Sequence, residues 1–285
     1  MTPGRLLALG AVVGLLTAVP SLARAGTLNL KGSDTMVVLA QRWAVEYAKL
    51  RPATRIQITG GGSGVGFAAL QNGTTDLALA SRPIRLVEIE GCIRAFGRRP
   101  REHRVALDGL AIYVNEANPV EALSLDQLEG IFSGRLNNWA AVGGVDAPIV
   151  RFGRESSSGS YEFFKRRVLG GRDFAVRTQS VSGTAAILQV VAREPHGIGY
   201  GGVAYGAGTR HLRIRPSADE PAIEPTEETI LDRRYPIWRY LYIYANPAVE
   251  TGEAGDFLRW VTGPQGQEVV REVGYCPLPP EGSNP

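Results

Sequence analysis

The sequence predicts an α/β protein. Short apolar runs with strand-like alternation are followed repeatedly by stretches whose apolar residues recur at helical spacing. The junctions between them carry Ser, Thr, Asp or Gly, residues that start helices or turn the chain. Hydrophobic residues make up 44% of the 285 residues, which fits a packed core and argues against disorder.

The elements follow in order. Thr27 to Leu30 alternates as a short strand, and Ser33 and Asp34 can cap a helix from Met36 to Leu50. Its apolar face is Val37, Leu39, Ala40, Trp43, Tyr47 and Leu50, and Pro52 helps to end it. Arg55 to Thr59 is the next strand. A glycine-rich loop, Gly60 to Gly66, leads into a helix from Phe67 to Gln71. Asn72-Gly73 makes a turn, and Leu77 to Ala80 is a strand that runs into Ser81-Arg82-Pro83. Gly109 to Val114 is a strongly apolar strand. Ser124 opens a helix to Phe132, with Gln127 placed for a capping box. Ile149 to Phe152 is a strand, Gly153 to Ser160 a polar loop, and Tyr161 to Leu169 a helix. A further helix runs from Ala185 to Arg193 behind Ser182 and Thr184, and Gly197 to Gly201 is a short strand. Arg215 to Tyr235, rich in Pro and Glu, reads as loop with room for one hairpin. Arg239 to Tyr244 is a strand, and Gly255 to Val273 a helix interrupted at Gly263-Pro264.

The N-terminus reads differently. Arg5, the apolar run Leu6 to Val19, Pro20 and Ala23-Arg24-Ala25 have the order of a cleavable signal peptide spanning residues 1–25. Removing it leaves 260 residues, long enough for two lobes. The charge falls from 31 Lys+Arg against 28 Asp+Glu to 29 against 28. A near-neutral chain gives little reason to expect nucleic acid as a partner. No long apolar run follows, so a soluble, exported protein is expected. Cys92 and Cys276 are too few for a disulfide scaffold; they form either one bridge or two separate buried thiols.

One pattern carries chemistry. Strand, then Ser/Thr/Gly/Asp, then helix occurs at Ser33-Asp34-Thr35, at Gly62-Ser63-Gly64 and at Ser158-Gly159-Ser160. Each places free N–H groups and hydroxyls at a helix N-terminus, where the helix dipole favours anions. Arg82 and Arg154 stand at strand ends beside these loops, and arginine binds tetrahedral oxyanions through paired donors. Any one of these pieces is ordinarily a cap, a turn or a surface charge; their combination points to a compact phosphate-like anion. Other motifs fail. Gly60 to Gly66 lacks the Lys-Ser/Thr end of a nucleotide loop, and neither Ser63 nor Ser158 sits in G-x-S-x-G. His103, His196 and His211 have no metal-ligand spacing, so no metal or cofactor is expected. Trp43, Trp139, Trp238 and Trp260 are scattered and read as core or interface.

These segments resemble the periplasmic phosphate-binding proteins that feed ABC transporters, a PstS-like branch of the class II solute-binding proteins. The resemblance is carried by Gly32 to Met36, Thr59 to Gly66, Asp76 to Arg82, Asp108 to Ala111, Gln127 to Gly134, Asn138-Trp139, Gly153 to Ser160 and Gly274 to Leu278, in that order along nearly the whole mature chain. It implies a two-lobed α/β fold joined by two crossing strands, with lobe 1 at 26–112 plus 243–285 and lobe 2 at 113–242. Phosphate would be held in the cleft by Thr35, the Met36 amide and Ser63 from one lobe, and by Arg154, Ser158, Gly159 and Ser160 from the other. On the reading of the residues themselves, Ser81 and Arg82 belong to the same ligand set, with Arg82 and Arg154 both expected to contact the phosphate. The resemblance also implies a monomer without catalytic activity that delivers inorganic phosphate to an inner-membrane ABC permease.

Two departures matter. Ser160 replaces the threonine of many members and keeps the hydroxyl. Arg82 stands where the family's well-studied members have an aspartate that accepts the proton of phosphate and so rejects sulfate, which has none to offer. Asp34 is then either that acceptor or a helix cap. Rival readings are a protein for another oxyanion (sulfate, molybdate or tungstate), a secreted phosphate-ester hydrolase, and a phosphate sensor.

Overall fold

The computed structural model describes residues 26–206 and 208–279, so the expected signal peptide lies outside the described residues. The chain begins with β1 (Thr27–Gly32), a 3-10 turn (Asp34–Met36), α1 (Val37–Leu50), β2 (Arg55–Thr59), α2 (Ser63–Gln71) and β3 (Leu77–Ala80). Then come α3 (Leu86–Phe96), a long β4 (Arg101–Val114), β5 (Ala122–Ser124), α4 (Leu125–Ser133), β6 (Val150–Arg154) and α5 (Gly159–Arg167). It continues through β7 (Gln179–Val181), α6 (Thr184–Arg193), β8 (Gly197–Gly202), β9 (Arg210–His211), β10 (Arg213–Arg215) and α7 (Glu227–Leu231). The last elements are β11 (Trp238–Ala245), α8 (Glu253–Thr262) and α9 (Pro264–Val273).

One sheet runs β2-β1-β3-β11-β4-β8-β6-β7, with β9 on the end of β4. Its two wings are parallel: β1 pairs with β2 and β3, and β6 with β7 and β8. The wings meet through antiparallel β4 and β11, paired from Trp238↔Gly109 to Ala245↔Arg101 with a shift in register between Leu241 and Tyr242. The far half of β4, from Leu110 to Val114, pairs instead with β8.

The apolar side chains separate along these two strands. One core gathers Leu30, Trp43, Leu79, Val105, Ala106, Leu241, Ile243, Phe257 and Val270. The other gathers Leu107, Leu110, Ile112, Phe132, Trp139, Phe164, Tyr200 and Ile237. The crossover strands thus pass from one core to the other, which makes the molecule two-lobed. On the opposite sheet face Tyr242 and Tyr244 pack with Phe67 and Cys92, so β11 is covered on both sides and is aromatic or aliphatic from Tyr240 to Ala245.

Several elements extend past their sequence reading. The second helix starts at Ser63 rather than Phe67, and α5 at Gly159 rather than Tyr161. In both, glycines of poor helix propensity occupy the first turn, where tertiary packing overrides propensity. α3 was not anticipated: its charged residues hide a face on which Glu88 and Cys92 are buried. β4 begins at Arg101 because its polar half still pairs with β11. The stretch after Arg215 holds an Ile214↔Ile223 bridge and the short α7. Cys92 and Cys276 are free and buried in different cores, so they form two thiols and no bridge. Burial pushes these thiols up to about 11 and about 12.

Candidate anion-binding site

Three strand-to-helix junctions of the first lobe bring their hydroxyls together. Ser33 donates to Ser81 Oγ at 2.9 Å, the Ser81 amide donates to Ser63 Oγ at 3.0 Å, and the Ser63 and Ser81 hydroxyls lie 3.4 Å apart. Gly32 turns the chain into this cluster with φ at +143°, in the region that favours glycine. From the second lobe, the start of α5 reaches the same place. Ser160 Oγ lies 3.1 Å from Thr35 Oγ1, and Ser158 caps the helix by accepting from the Tyr161 amide at 3.4 Å. Ser33, Thr35, Ser63, Ser81, Ser158 and Ser160 are all buried.

The N-termini of α2 and α5 face each other across the lobes. The Gly64 amide donates to Ser157 O at 2.9 Å, and Gly159 lies against Ser63. A Cβ on Gly159 would run into Ser63 Oγ and stand 2.6 Å from Ser81 Oγ. Two positive helix ends meet here among hydroxyls, an arrangement suited to a small anion, although the Gly64 and Val65 amides of α2 and the Tyr161 amide of α5 are already taken by Ser157 O, Gly62 O and Ser158 Oγ.

Arg154 is buried at the end of β6 and ties the lobes together. Its Nη2 donates to Asp34 Oδ2 at 2.8 Å and to Glu155 Oε1 at 2.9 Å, and its Nη1 donates to Thr184 Oγ1 at 2.9 Å. Asp34 also accepts from the Gly61 amide through Oδ1 at 2.8 Å. Each Asp34 oxygen thus accepts one hydrogen bond, and through Arg154 the residue ties the two lobes. The Met36 amide donates to Ser33 O at 3.0 Å within the 3-10 turn, and its side chain lies in the first core.

Arg82 is not brought to the hydroxyl cluster, and its expected place there is corrected. Although only 4% exposed, it makes a fork with Glu88, Nη1 to Oε2 at 2.8 Å and Nη2 to Oε1 at 2.7 Å. Its Nε is 2.8 Å from Glu162 Oε2 of the other lobe, and its guanidinium lies over the Phe67 ring. The reason is α3: its first turn turns Glu88 back towards Arg82, while the Arg85 amide donates to Glu88 Oε2 at 2.9 Å.

Sequence reasoning passed over a second buried pair. Arg239 on β11 and Asp108 on β4 are 3% and 0% exposed. Arg239 Nε and Nη2 stand 2.8 and 2.7 Å from Asp108 Oδ2, and Asp108 Oδ1 accepts from the Val203 amide at 3.0 Å. Arg239 Nη1 donates to Ser160 Oγ at 3.0 Å and to Ser81 O at 3.2 Å, one partner from each lobe. Burial pushes the Asp108 carboxyl above its ordinary value, with Arg239 opposing. The signal was available: a charged residue inside each of two apolar strands must be paired if the strands are buried.

Among the described residues no group of three or more His, Cys, Asp or Glu could hold a metal. His103 pairs with Glu250 at 2.7 Å and His211 with Glu224 at 3.3 Å, away from the serines of the cluster. No helix among the described residues is long and apolar enough to cross a membrane.

Comparison with known proteins matches residues 17–265 to the model of the PBP superfamily domain. The chain is 34% identical to the phosphate-binding protein PstS of Pseudomonas aeruginosa, over 95% of this chain and 90% of that one. It is 29% identical to the phosphate-binding protein PstS of Bacillus subtilis, over 89% and 81%. A structure from Clostridium perfringens with bound phosphate superposes with a TM-score of 0.82 at 25% identity, over 89% of this chain and 100% of that one. An ABC-type phosphate transport receptor from Vibrio cholerae gives a TM-score of 0.71 at 25% identity, over 88% and 100%. With a superfamily match over most of its length and a PstS relative aligned nearly end to end, the chain belongs to the PstS-like phosphate-binding proteins of the PBP superfamily.

Proposed function

We propose that this protein captures inorganic phosphate between its lobes and hands it to the permease of an ABC transporter, without catalysis and without a cofactor. The observation that carries this reading is the meeting of two helix N-termini and five buried hydroxyls from both lobes, with Arg154 bound to Asp34, the neighbour of Thr35. The ligand set is Thr35, Ser63, Ser81, Arg154, Ser158, Gly159 and Ser160, with Asp34 holding Arg154. Lobe 1 is taken as residues 26–112 plus 243–285 and lobe 2 as 113–242. The protein is read as a monomer exported to the periplasm by residues 1–25. Closure of the lobes on the anion would present the loaded form to the permease.

A second ligand, another tetrahedral dianion such as sulfate, is favoured by one observation. Both carboxylates nearest the hydroxyls, Asp34 and Asp108, are taken up by arginines and backbone amides. A site with no free carboxylate penalises sulfate less. Calorimetric titration with phosphate and with sulfate at neutral pH separates the two: phosphate heat with weaker sulfate binding is expected, and absence of phosphate binding overturns the reading. Arg154→Ala should weaken phosphate binding by about 2–5 kcal/mol, as for a truncated buried charge pair. Unchanged affinity would remove Arg154 from the ligand set.

A further inference from the structure

We propose that Arg239, supplied by crossover strand β11, is a ligand-binding residue of the cleft, with Asp108 as its positioning residue. This rests on the phosphate reading above and adds to it a group that belongs to the connection between the lobes rather than to either junction cluster.

A guanidinium is planar and has five N–H donors in two usable forks. One edge, Nε with Nη2, faces Asp108 Oδ2 at 2.8 and 2.7 Å. On the outer edge, Nη1 spends its two N–H groups on Ser160 Oγ and Ser81 O, which leaves one donor there, on Nη2. Nη1 reaches Ser160 Oγ at 3.0 Å, and Ser160 Oγ is 3.1 Å from Thr35 Oγ1. Nη2 is buried and, although in ion-pair contact with Asp108, makes no hydrogen bond among the described residues. A buried donor left without a hydrogen bond is costly. An anion seated among Thr35, Ser160 and the start of α5 would accept from it, completing the outer fork.

The surroundings fix the fork in place. Asp108 is itself held by the Val203 amide, and the Phe163 ring of α5 lies 5.4 Å from the Arg239 guanidinium carbon. Nη1 also touches Ser81 O of the first lobe at 3.2 Å. Arg239 therefore contacts the first lobe through Ser81 and the second through Ser160, from a strand that belongs to both. Arg154 has one more donor committed than Arg239: four, to Asp34, Glu155 and Thr184. The positive charge that the sequence assigned to Arg82 is supplied instead from the hinge strand.

The test is calorimetric titration of phosphate into the wild-type protein and into Arg239→Lys, which keeps the charge and loses the fork, with thermal unfolding of each without phosphate. At least about a tenfold weakening of phosphate binding is expected, the scale of losing one charge-assisted fork bond. It should appear in a variant that still unfolds cooperatively. Arg239→Lys with wild-type affinity overturns the assignment and leaves Arg239 a structural partner of Asp108. A wild-type protein that binds no phosphate overturns the phosphate reading and this inference with it. If the lysine variant does not fold, a crystal structure of the wild-type protein with phosphate decides. A phosphate oxygen within hydrogen-bonding reach of Nη1 or Nη2 supports the assignment. A phosphate held without Arg239 overturns it.

Discussion

At Gly159 the two lobes are packed too closely for any side chain. This glycine begins α5, and a Cβ there would meet two serine hydroxyls of the opposite lobe, one of them at 2.6 Å. Those hydroxyls belong to the donor cluster, so they cannot withdraw without disturbing it. Gly159→Ala should leave each lobe folded but hold them apart, at a cost of about 1–3 kcal/mol in the closed form, the usual scale of overpacking. The expected result is weaker phosphate binding in calorimetry with little change in the unfolding midpoint of the phosphate-free protein. Wild-type affinity would mean that the lobes close elsewhere. At this scale the sequence was informative about hydroxyls and silent about partners. Ser63, Ser158 and Ser160 could be picked out from their junctions, because a helix start is a local pattern. Whether Arg82 or Arg239 reaches the cluster depends on residues 6 and 131 positions away, Glu88 and Asp108, and no local pattern carries that.

Between elements, α3 and α5 are joined by the ion-pair group that claims Arg82. Glu88 on α3 binds Arg82 and Arg85, and Glu162 on α5 lies 2.8 Å from Arg82 Nε across the lobe boundary. When the lobes separate, Glu162 must leave while Glu88 stays with Arg82. Glu162→Gln should therefore weaken the closed form by about 1 kcal/mol, or roughly fivefold in phosphate affinity. Calorimetry at low and high salt checks this: the difference between variant and wild type should shrink as salt screens the pair, and a difference that does not shrink would sink the electrostatic account. Glu88 adds a pH dependence. Burial alone would raise its carboxyl, but the hydrogen bonds from Arg82 and Arg85 outweigh burial and leave it below the ordinary 4.5. Its folded value thus lies below its unfolded one. The stability it contributes is full above about 4.5 and is lost as pH falls through the folded value. Glu88→Gln should show a smaller drop in unfolding midpoint than the wild type on acidification below that point; an equal drop would place the acid sensitivity in other carboxylates.

For the whole molecule, the α/β class and most strands were legible because alternation and helix starts repeat along the chain. The terminal helix broken at Gly263-Pro264 appears as α8 and α9. α3 was not legible, since its buried face includes Glu88, which only its arginine partners make tolerable in the interior. Nor was the separate fate of the two cysteines, which depends on which core each strand or helix joins. The crossover pair β4 and β11 has one more consequence, for the order in which the molecule can be assembled. β11 lies in the sheet between β3 and β4, yet it is made only at residues 238–245. The Trp43 indole of α1 donates to Gly266 O, 223 positions later. Lobe 1 therefore cannot complete its sheet or its core until nearly the entire polypeptide is present. Lobe 2, continuous between the two strands, needs far less chain. Because long-range closure is the slow part of folding, the lobe that begins first along the chain is the one that finishes last.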